Sequence, residues 1–370
     1  MLFYVEQWQS IPEFNAENIK RTTTVSIIVA ARNESKNIIK CLTAVLNQNY
    51  PTNLFEVIVI DDFSEDDTYS KAKSIQNEQL RVYQLKHLLA NDGKVVAYKK
   101  KAIEKAIDQS QADIIITIDA DVVMGEKWLR SIVSFYEQKG CLIIAAPVMF
   151  HTKNHFINHF QTLDFCGMMV TTGAVIESNS GSMCNGANMA YVRKAFYYVK
   201  GFEGNDKLGS GDDVFLMHKI NMAFKGSSRF IKCKSATVFT AAQPTIKTFF
   251  SQRLRWASKN KNFKDRKINA QLVLILAANL AIVYNFCLTI ITFFLGSENV
   301  KAYFALFIIT FLMKCLADFI YLATGAVYFN RRAALYWFIP AQIAHILYIS
   351  IVGILGNFVT YSWKGRRFNQ

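Results

Sequence analysis

The stretch EVIVIDDFSEDDTYSKAKSIQ, residues 56–76, joins a buried strand to a helix through a short acidic turn. EVIVIDD is a β-branched run typical of a strand buried on both faces, and SEDDTYSKAKSIQ opens a helix for which Ser64 is the expected N-cap. The same alternation predicts strands at 24–31, 81–85, 112–121 and 141–148, and helices at 34–48, at 97–109 and from about Gly125. This order predicts an α/β fold with a mainly parallel sheet covered by helices on both faces.

The last hundred or so residues differ from the rest in being strongly apolar. Among the 370 residues, 52% are hydrophobic, and the run Leu272–Leu295 contains no charge. A second run, Ala302–Val327, holds only Lys314 and Asp318 as charges, and a third, Ala333–Tyr361, holds none. Because about twenty apolar residues cross a hydrocarbon core, the sequence predicts three membrane segments after a globular part of about 265 residues.

The formal net charge of +14 is concentrated beside the first apolar run. Eight basic residues lie between 246 and 267, against the single acidic residue Asp265. No nucleic-acid motif accompanies them, so we expect no nucleic-acid partner. Basic flanks mark the cytoplasmic side of a span and favour anionic lipid headgroups, so membrane lipids are expected partners. Seven cysteines without a CxxC pair suit a reducing compartment, and no cleavable signal peptide is visible at the start.

The basic stretch WKGRR, residues 363–367, conflicts with a simple count of spans. Three spans that start inside would place it outside, against the positive-inside tendency. One segment is therefore expected to be re-entrant or to lie on the surface, and the segment that Pro340 interrupts is the first candidate.

Carboxylates follow two of the predicted strands. Asp61 and Asp62 end the second strand, and Asp119 and Asp121 end the fourth. Ligands bind at the carboxyl ends of strands in such sheets, and paired carboxylates repel one another unless a cation lies between them. Mg²⁺ or Mn²⁺ with a diphosphate fits oxygen ligands best. Ordinary turn chemistry is the alternative for either pair taken alone.

Further charged residues are candidates for the same site. In GSGDDVFLMHKI, residues 209–220, Asp212 and Asp213 begin a helix, where one is a candidate general base and both also suit a helix N-terminus. Arg32 and Glu34 follow the first strand. Candidate phosphate ligands, for which a solvated helix face is the alternative, are Lys94, Lys99, Lys100 and Lys101.

For two further patterns of charged or metal-binding residue types, a structural role is favoured over a functional one. His151, His155 and His159 have the spacing of a metal comb on one helical face, but buried or interfacial histidines are the expected outcome. Lys314 and Asp318 lie four residues apart within a predicted span, where charges usually pair.

Six stretches together resemble the family-2 inverting glycosyltransferases of GT-A fold, which is Rossmann-like. They are VSIIVAARNES, VIVIDDFSEDDT, TIDADV, NGANMAY, SGDDVFL and QRLRW, in the family's order and over about residues 24–260. Gln-x-x-Arg-Trp is typical of membrane-integrated members such as cellulose and hyaluronan synthases and ceramide glucosyltransferase.

The resemblance implies a role for each matching residue. Asp213 would be the catalytic base, although Asp212 replaces the usual Glu and the choice between the two stays open. Asp121 would be the main metal ligand, with Asp119 beside it, for Mg²⁺ or Mn²⁺. The implied nucleotide-sugar-binding residues are Ala30, Arg32, Glu34, Asp62, Lys99 (with Lys94 as competitor), Asp119, Gln252, Arg255 and Trp256, and the implied acceptor-side residues are Asn185, Gly186 and Asn188.

The implied organisation is a juxtamembrane segment over 1–23, a GT-A catalytic domain over 24–245, an amphipathic interface helix over 246–267 and a transmembrane region over 268–370 with a short basic tail. Phe249, Phe250 and Leu254 would rest in the lipid headgroup layer.

The resemblance implies a membrane-bound, metal-dependent enzyme that transfers one sugar from a nucleotide-sugar, with a UDP-sugar expected, to a lipid hydroxyl. The bacterial cytoplasmic membrane, with the catalytic domain in the cytoplasm, is the expected location. The alternatives are a processive polysaccharide synthase and, in a different class, a membrane transporter or receptor with an α/β regulatory domain.

Overall fold

Short strands and long helices alternate along the part of the chain that is described. The computed structural model describes residues 1–16, 22–89, 95–206, 208–258, 266–356 and 361–368. Its strands are β1 (Val25–Ala31), β2 (Phe55–Asp61), β3 (Leu80–Gln84), β4 (Ile114–Asp119), β5 (Val123–Met124), β6 (Ile143–Ala145), β7 (Val148–Phe150), β8 (Met189–Val192), β9 (Ser228–Phe230), β10 (Val238–Thr240), β11 (Tyr361–Trp363) and β12 (Arg366–Phe368).

The helices lengthen toward the C-terminus. They are α1 (Leu2–Ser10), α2 (Ile38–Leu46), α3 (Thr68–Ser74), α4 (Leu85–Leu88), α5 (Tyr98–Asp108), α6 (Trp128–Lys139), α7 (Phe156–Glu177), α8 (Arg193–Tyr198), α9 (Asp212–Ala223), α10 (Ile246–Ala257), α11 (Arg266–Phe294), α12 (Val300–Tyr328) and α13 (Phe338–Leu355). Short 3-10 helices cover Thr52–Leu54, Lys234–Ala236 and Arg332–Trp337.

The central sheet has the order β3-β2-β1-β4-β8-β6-β9. Strands β3, β2, β1 and β4 are parallel to one another, whereas β8 is antiparallel to both β4 and β6. A smaller sheet pairs β5, β10 and β7. The predicted α/β class with a mainly parallel sheet is therefore confirmed, and the carboxyl ends of β1, β2 and β4 meet at one edge.

Helix α3 begins later than the sequence suggests. Its N-cap is Asp67, so the prediction of Ser64 as the cap is wrong. The Ser64 hydroxyl oxygen instead accepts a hydrogen bond from the backbone N–H of Asn33, at 3.0 Å. That contact joins the turn after β2 to the turn after β1, which lies next to it in the sheet.

Helices α11 and α12 expose large apolar side chains and pack against one another. Each has 29 residues, or about 44 Å at 1.5 Å per residue, which is long enough to cross a bilayer. The C-terminal part of α12 returns to the globular domain, where Gly325 lets it approach α7. A Cβ on Gly325 would lie 2.9 Å from the carbonyl oxygen of Cys166.

Helix α13 is covered more than the other two apolar helices. The segment Arg332–Leu355, which contains α13, buries 39% of its most apolar stretch, against 11% for α11 and 17% for α12. Just before it, Trp337 packs on Phe156 and His159 of the globular domain. Just after it, a Cβ on Gly356 would lie 2.5 Å from Cβ of Ala257, at the end of α10. Both ends of α13 therefore lie against the globular domain.

Helix α10 is shorter than the predicted interface helix over 246–267. It ends at Ala257, and residues 259–265 lie outside the described part of the chain. Phe249 is only 2% exposed and packs on Phe160 and Tyr348, so its expected place in the headgroup layer is wrong. The apolar face of α10 is covered by α7 and α13 because the chain returns to it.

Candidate active site

The carboxyl edge of the central sheet gathers the predicted acidic residues. In the register of the sheet, Ala30 of β1 pairs with Asp119 of β4, and Ala31 pairs with Asp61 of β2. The backbone N–H of Asp62 donates to the carbonyl oxygen of Ala31 at 2.7 Å, so the turn after β2 stays close to β1. Parallel pairing thus brings together side chains that are far apart in sequence.

Lys99 of α5 links two of these acidic groups. Its Nζ atom lies 2.9 Å from Oδ1 of Asp119 and 3.3 Å from Oδ2 of Asp212. Burial alone would lower the pKa of Lys99, but the carboxylates of Asp119 and Asp212 raise it above its usual value. Lys99 is therefore a fixed cation between the end of β4 and the start of α9. Lys94, its predicted competitor, lies outside the described residues.

Asp213 is held at the N-terminus of α9 by backbone groups. Its Oδ2 atom accepts a hydrogen bond from the N–H of Gly186 at 3.0 Å, and its Oδ1 atom accepts one from the N–H of Val214 at 2.8 Å. A Cβ on Gly186 would lie 3.2 Å from Oδ2 of Asp212. The loop that contains Gly186 therefore lies directly on the pair Asp212 and Asp213.

Asn185 and Asn188, predicted with Gly186 on the acceptor side, have different surroundings. Asn185 is half-buried beside Gly186, and its Oδ1 atom accepts a hydrogen bond from the N–H of Ala187 at 3.0 Å. Asn188 is fully buried, and its amide bonds to the Trp128 indole and to the carbonyl oxygens of Pro147 and Ala236. Asn188 thus connects elements of the fold, and its amide faces no opening.

Asp121 has the electrostatic surroundings of a cation ligand. Burial, together with the carboxylates of Asp119 and Glu34, raises its pKa to about 6. Its Oδ2 atom accepts a hydrogen bond from the hydroxyl of Thr240 at 3.1 Å, which fixes the carboxylate. The neighbouring negative charges are a reason for a cation to bind here.

The described residues offer few protein ligands to such a cation. No group of three or more His, Cys, Asp or Glu side chains is placed to hold a metal ion among them. Mg²⁺ usually takes one or two carboxylates and completes its shell with water and substrate phosphates. Asp121 and Asp119 therefore fit a divalent cation that arrives with a diphosphate.

The histidines do not form the metal comb that their spacing suggested. Helix α7 begins only at Phe156, so His151 and His155 precede it. His151 stacks on Phe239 and His159 stacks on Trp337. The favoured expectation of buried or interfacial histidines is confirmed for His151 and His159, whereas it is wrong for His155, which is exposed.

Arg32, Glu34 and Asp62 form a charged group with the C-terminal hairpin β11–β12. Arg366 donates to both carboxylate oxygens of Asp62, from Nη1 at 2.7 Å and from Nη2 at 2.9 Å. Lys364 pairs with Glu34, and Arg32 donates from Nε to the carbonyl oxygen of Lys364 at 3.0 Å. Burial raises the pKa of Asp62, while Arg366 and Arg32 oppose the rise.

Helix α10 presents Arg253 to the domain interior. Its Nη2 atom lies 2.5 Å from Oδ2 of Asp164, and its guanidinium covers the ring of Trp256 at 4.3 Å. The sequence motif singled out the neighbours Gln252 and Arg255, which are half-buried, and not Arg253. No local signal in the sequence distinguishes the buried Arg253 from Arg255, because Asp164, the partner of Arg253, lies 89 residues away.

The pair Lys314 and Asp318 is confirmed as a structural pair. The two side chains form a salt bridge within α12, and Gln342 of α13 donates to Asp318 at 2.5 Å. This contact links α13 to the middle of α12.

The structure shows an α/β domain with acidic residues at the carboxyl edge of its sheet, and comparison with known proteins identifies the family. The family model for glycosyl transferase family 2 matches residues 26–199. The model for glycosyl transferase family group 2 matches residues 114–350, more than half of the chain. The protein belongs to the family-2 glycosyltransferases.

Two curated relatives match the chain over short stretches. Glycosyltransferase AglE of Haloferax volcanii is 32% identical over 130 residues, which cover 35% of this chain and 41% of AglE. The beta-monoglucosyldiacylglycerol synthase of Trichormus variabilis is 30% identical over 115 residues, which cover 31% of this chain and 24% of that synthase. The chain thus spans less than half the length of these two relatives.

A solved structure shares the fold over nearly the whole chain. Mannosyltransferase PcManGT from Pyrobaculum calidifontis, solved with GDP-Man and Mn²⁺, has a TM-score of 0.56. The likeness covers 96% of this chain and 93% of that chain at 17% identity. At that identity it shows the fold alone, which is GT-A-like.

Proposed function

We propose that the protein is an inverting glycosyltransferase that moves one sugar from a UDP-sugar to a hydroxyl group of a membrane lipid. The observation that carries the proposal is the arrangement around Asp213. Two backbone N–H groups orient its carboxylate, and Asp212, Lys99 and Asp119 connect it to the carboxyl edge of the sheet.

Asp213 would act as the general base. Its carboxylate would accept the proton of the acceptor hydroxyl as the oxygen attacks the anomeric carbon. The attack comes from the face opposite the leaving diphosphate, so the new bond has the inverted configuration. Lys99 would hold Asp212 in an ion pair, and Asp213, oriented by the N–H groups of Gly186 and Val214, would be the carboxylate that accepts the proton.

Asp121 would hold the divalent cation, with Asp119 beside it, and such a cation when bound neutralises the charge on the departing diphosphate. Thr240 would orient Asp121 through its hydroxyl group. Ala30, at the end of β1, would let the nucleotide lie close to the backbone. Arg255 on α10 would donate a planar fork of N–H groups to the same diphosphate.

A lipid acceptor is supported by how the catalytic domain sits on apolar helices. Helix α7 packs along α12, where the Tyr321 hydroxyl bonds to Thr171 at 2.5 Å. The name of the Trichormus variabilis relative describes a sugar joined to diacylglycerol. In this proposal a lipid stays in the bilayer and its hydroxyl reaches Asp213 past the loop of Asn185 and Gly186, near Trp256.

The proposed topology has two membrane crossings, α11 and α12. Helix α13 would lie at the membrane surface, because both of its ends contact the globular domain. Two crossings leave the catalytic domain and the basic hairpin on the same, cytoplasmic side, in agreement with the positive-inside tendency. The proposed location is a bacterial cytoplasmic membrane.

A binding screen tests the proposal. Purified full-length protein in detergent is titrated with UDP-, GDP- and dTDP-sugars, with Mn²⁺ or Mg²⁺ present and again after EDTA treatment. We expect binding of a UDP-sugar that EDTA abolishes and metal restores. Absence of nucleotide binding with metal present would favour a transporter or receptor. A separate transfer reaction whose products carry many sugar units would favour a processive synthase.

A further inference from the structure

The C-terminal hairpin lies on the nucleotide side of the catalytic domain. Strands β11 and β12 are antiparallel, and the two residues between them, Lys364 and Gly365, have φ values of 46° and 79°. Positive φ at both central residues is typical of the tight primed turns that close two-residue hairpins. The tip is therefore a defined turn, and it projects toward Arg32.

Each described side chain of the tip and of β12 meets a residue of the proposed donor pocket. Arg366 binds both oxygens of Asp62, and its guanidinium lies 3.9 Å from the ring centre of Tyr98. Lys364 binds Glu34. Side-chain exposure is 17% for Arg366 and 26% for Lys364, so most of each side chain is covered.

The hairpin also lies beside the other parts of the site. Strand β11 packs against α10, the helix that carries Arg255. Gly365, which lies between Lys364 and Arg366, approaches the carboxyl end of β1, because a Cβ there would lie 4.0 Å from Nη2 of Arg32. Positive charge from the hairpin therefore reaches the region where a diphosphate would lie.

We propose that Lys364 and Arg366 form one wall of the donor pocket and bind the diphosphate of the nucleotide-sugar. The inference rests on the proposed function. Arginine presents a planar fork that matches phosphate oxygens, and its stacking on Tyr98 holds that fork in place. Asp62 and Glu34 pair with these cations in the structure and would share them with the incoming anion.

Two further basic groups at this edge pair with several groups of the domain. Lys99 bridges Asp119 and Asp212. Arg32 donates to the carbonyl oxygens of Asp62 and Lys364 and pairs with Glu65. These contacts fix the shape of the pocket, whereas Lys364 and Arg366 belong to a hairpin that follows the apolar helices in the chain.

The test is donor affinity measured with the full-length protein in detergent. Arg366→Gln is expected to raise the Kd for UDP with Mn²⁺ by about tenfold or more, on the scale of a lost charge-assisted hydrogen bond. Arg366→Lys should fall between wild type and Arg366→Gln, because it keeps the charge and loses the fork. Arg332→Gln removes an exposed cation from the segment between α12 and α13 and should bind UDP like wild type.

Lys364→Gln guards against a folding defect, because Lys364 is at the turn, whereas Arg366 pairs with Asp62, which is buried. It should also weaken UDP binding, with an unfolding temperature near that of wild type. UDP affinity that is unchanged or tighter in both variants would overturn the inference. The same holds if the variants lose only binding to anionic vesicles of phosphatidylglycerol, since the hairpin would then be a lipid-binding element.

The two proposals fail in different ways. If the wild-type protein binds no nucleotide, the proposed function fails before the hairpin is tested. If the wild type binds UDP and Asp121→Ala does not, while Arg366→Gln binds like wild type, only the inference about the hairpin fails.

Discussion

Two groups of ion pairs, one at the carboxyl edge of the sheet and one where α7, α10 and α13 meet, differ in their surroundings. Lys99 and Asp119 lie 2.9 Å apart, with 40% of the Asp119 side chain exposed. Arg253 and Asp164 lie 2.5 Å apart, with only 4% and 8% of their side chains exposed. A ligand can reach the open pair from solvent, whereas the closed pair is shielded from it.

This difference in exposure predicts which charged residues affect binding or transfer and which affect the stability of the fold. A charge at the open edge should affect binding or transfer and leave folding nearly unchanged. A charge in the closed group should affect folding, because the removal of one partner leaves the other buried without compensation. Each of the four substitutions below tests one side of this comparison.

The largest effect is expected for Asp121→Ala at the open edge. The substitution removes the main proposed ligand of the cation, so metal-dependent binding of the donor should be lost, and all transfer with it. Titration with UDP in Mn²⁺ measures the loss, and the unfolding temperature should stay close to that of wild type. Undiminished binding that still requires Mn²⁺ would show that another residue holds the metal.

Asp213→Asn should reduce transfer by about 10² or more, the usual scale for a positioned general base. Donor binding should be retained, because the amide keeps the shape of the carboxylate. Turnover and UDP affinity measured on the same preparation separate the two effects. Normal turnover in Asp213→Asn together with an inactive Asp212→Asn would mean that Asp212 is the base.

Arg253→Met, in the closed group, should destabilise the protein by about 3–5 kcal/mol, since Asp164 is left buried and charged. Thermal unfolding in detergent measures the change. The matched control is the double substitution Arg253→Met with Asp164→Leu, which removes both charges and should be more stable than the single variant. If Arg253→Met is as stable as wild type, the pair of Arg253 and Asp164 does not behave as a buried ion pair, and the comparison fails.

The smallest effect is expected for Gly186→Ala. The added Cβ would lie 3.2 Å from Oδ2 of Asp212, so the loop or the carboxylate must shift by a few tenths of an ångström. A displacement of this size should lower transfer by about tenfold, because catalysis depends on position. The unfolding temperature should barely change. Transfer equal to wild type would mean that the loop does not position the carboxylates.

The acidic residues at the carboxyl edge of the sheet could be predicted from the sequence, because each is recognised from the residues next to it in the chain. Each acidic residue follows its own strand, and parallel pairing brings the strand ends together without further detail. Asp62 and Asp119 could therefore be placed at one edge before any contact was known. The N-cap of α3 was missed because Ser64 bonds to the neighbouring turn, a contact that propensity does not include.

The closed group could not be predicted in the same way, because its partners are distant in sequence. The face of α10 that suits a lipid layer by composition is covered by α13, which returns about ninety residues later. The contact between Arg366 and Asp62 spans 304 residues. Neither periodicity nor motif spacing indicates which distant element covers a given helix. The stretch WKGRR stood out in the sequence only because its charge conflicts with three membrane crossings.

The most direct test of the central claim is to weigh the product of the reaction. Purified protein is incubated with UDP-sugars, Mn²⁺ and a bacterial lipid extract, and the lipids are then analysed by mass spectrometry beside a reaction with Asp213→Asn. The account predicts release of UDP and a lipid heavier by the mass of one sugar residue, with wild type alone. Absence of UDP release, or a product that carries the sugar on a water-soluble acceptor, would contradict it.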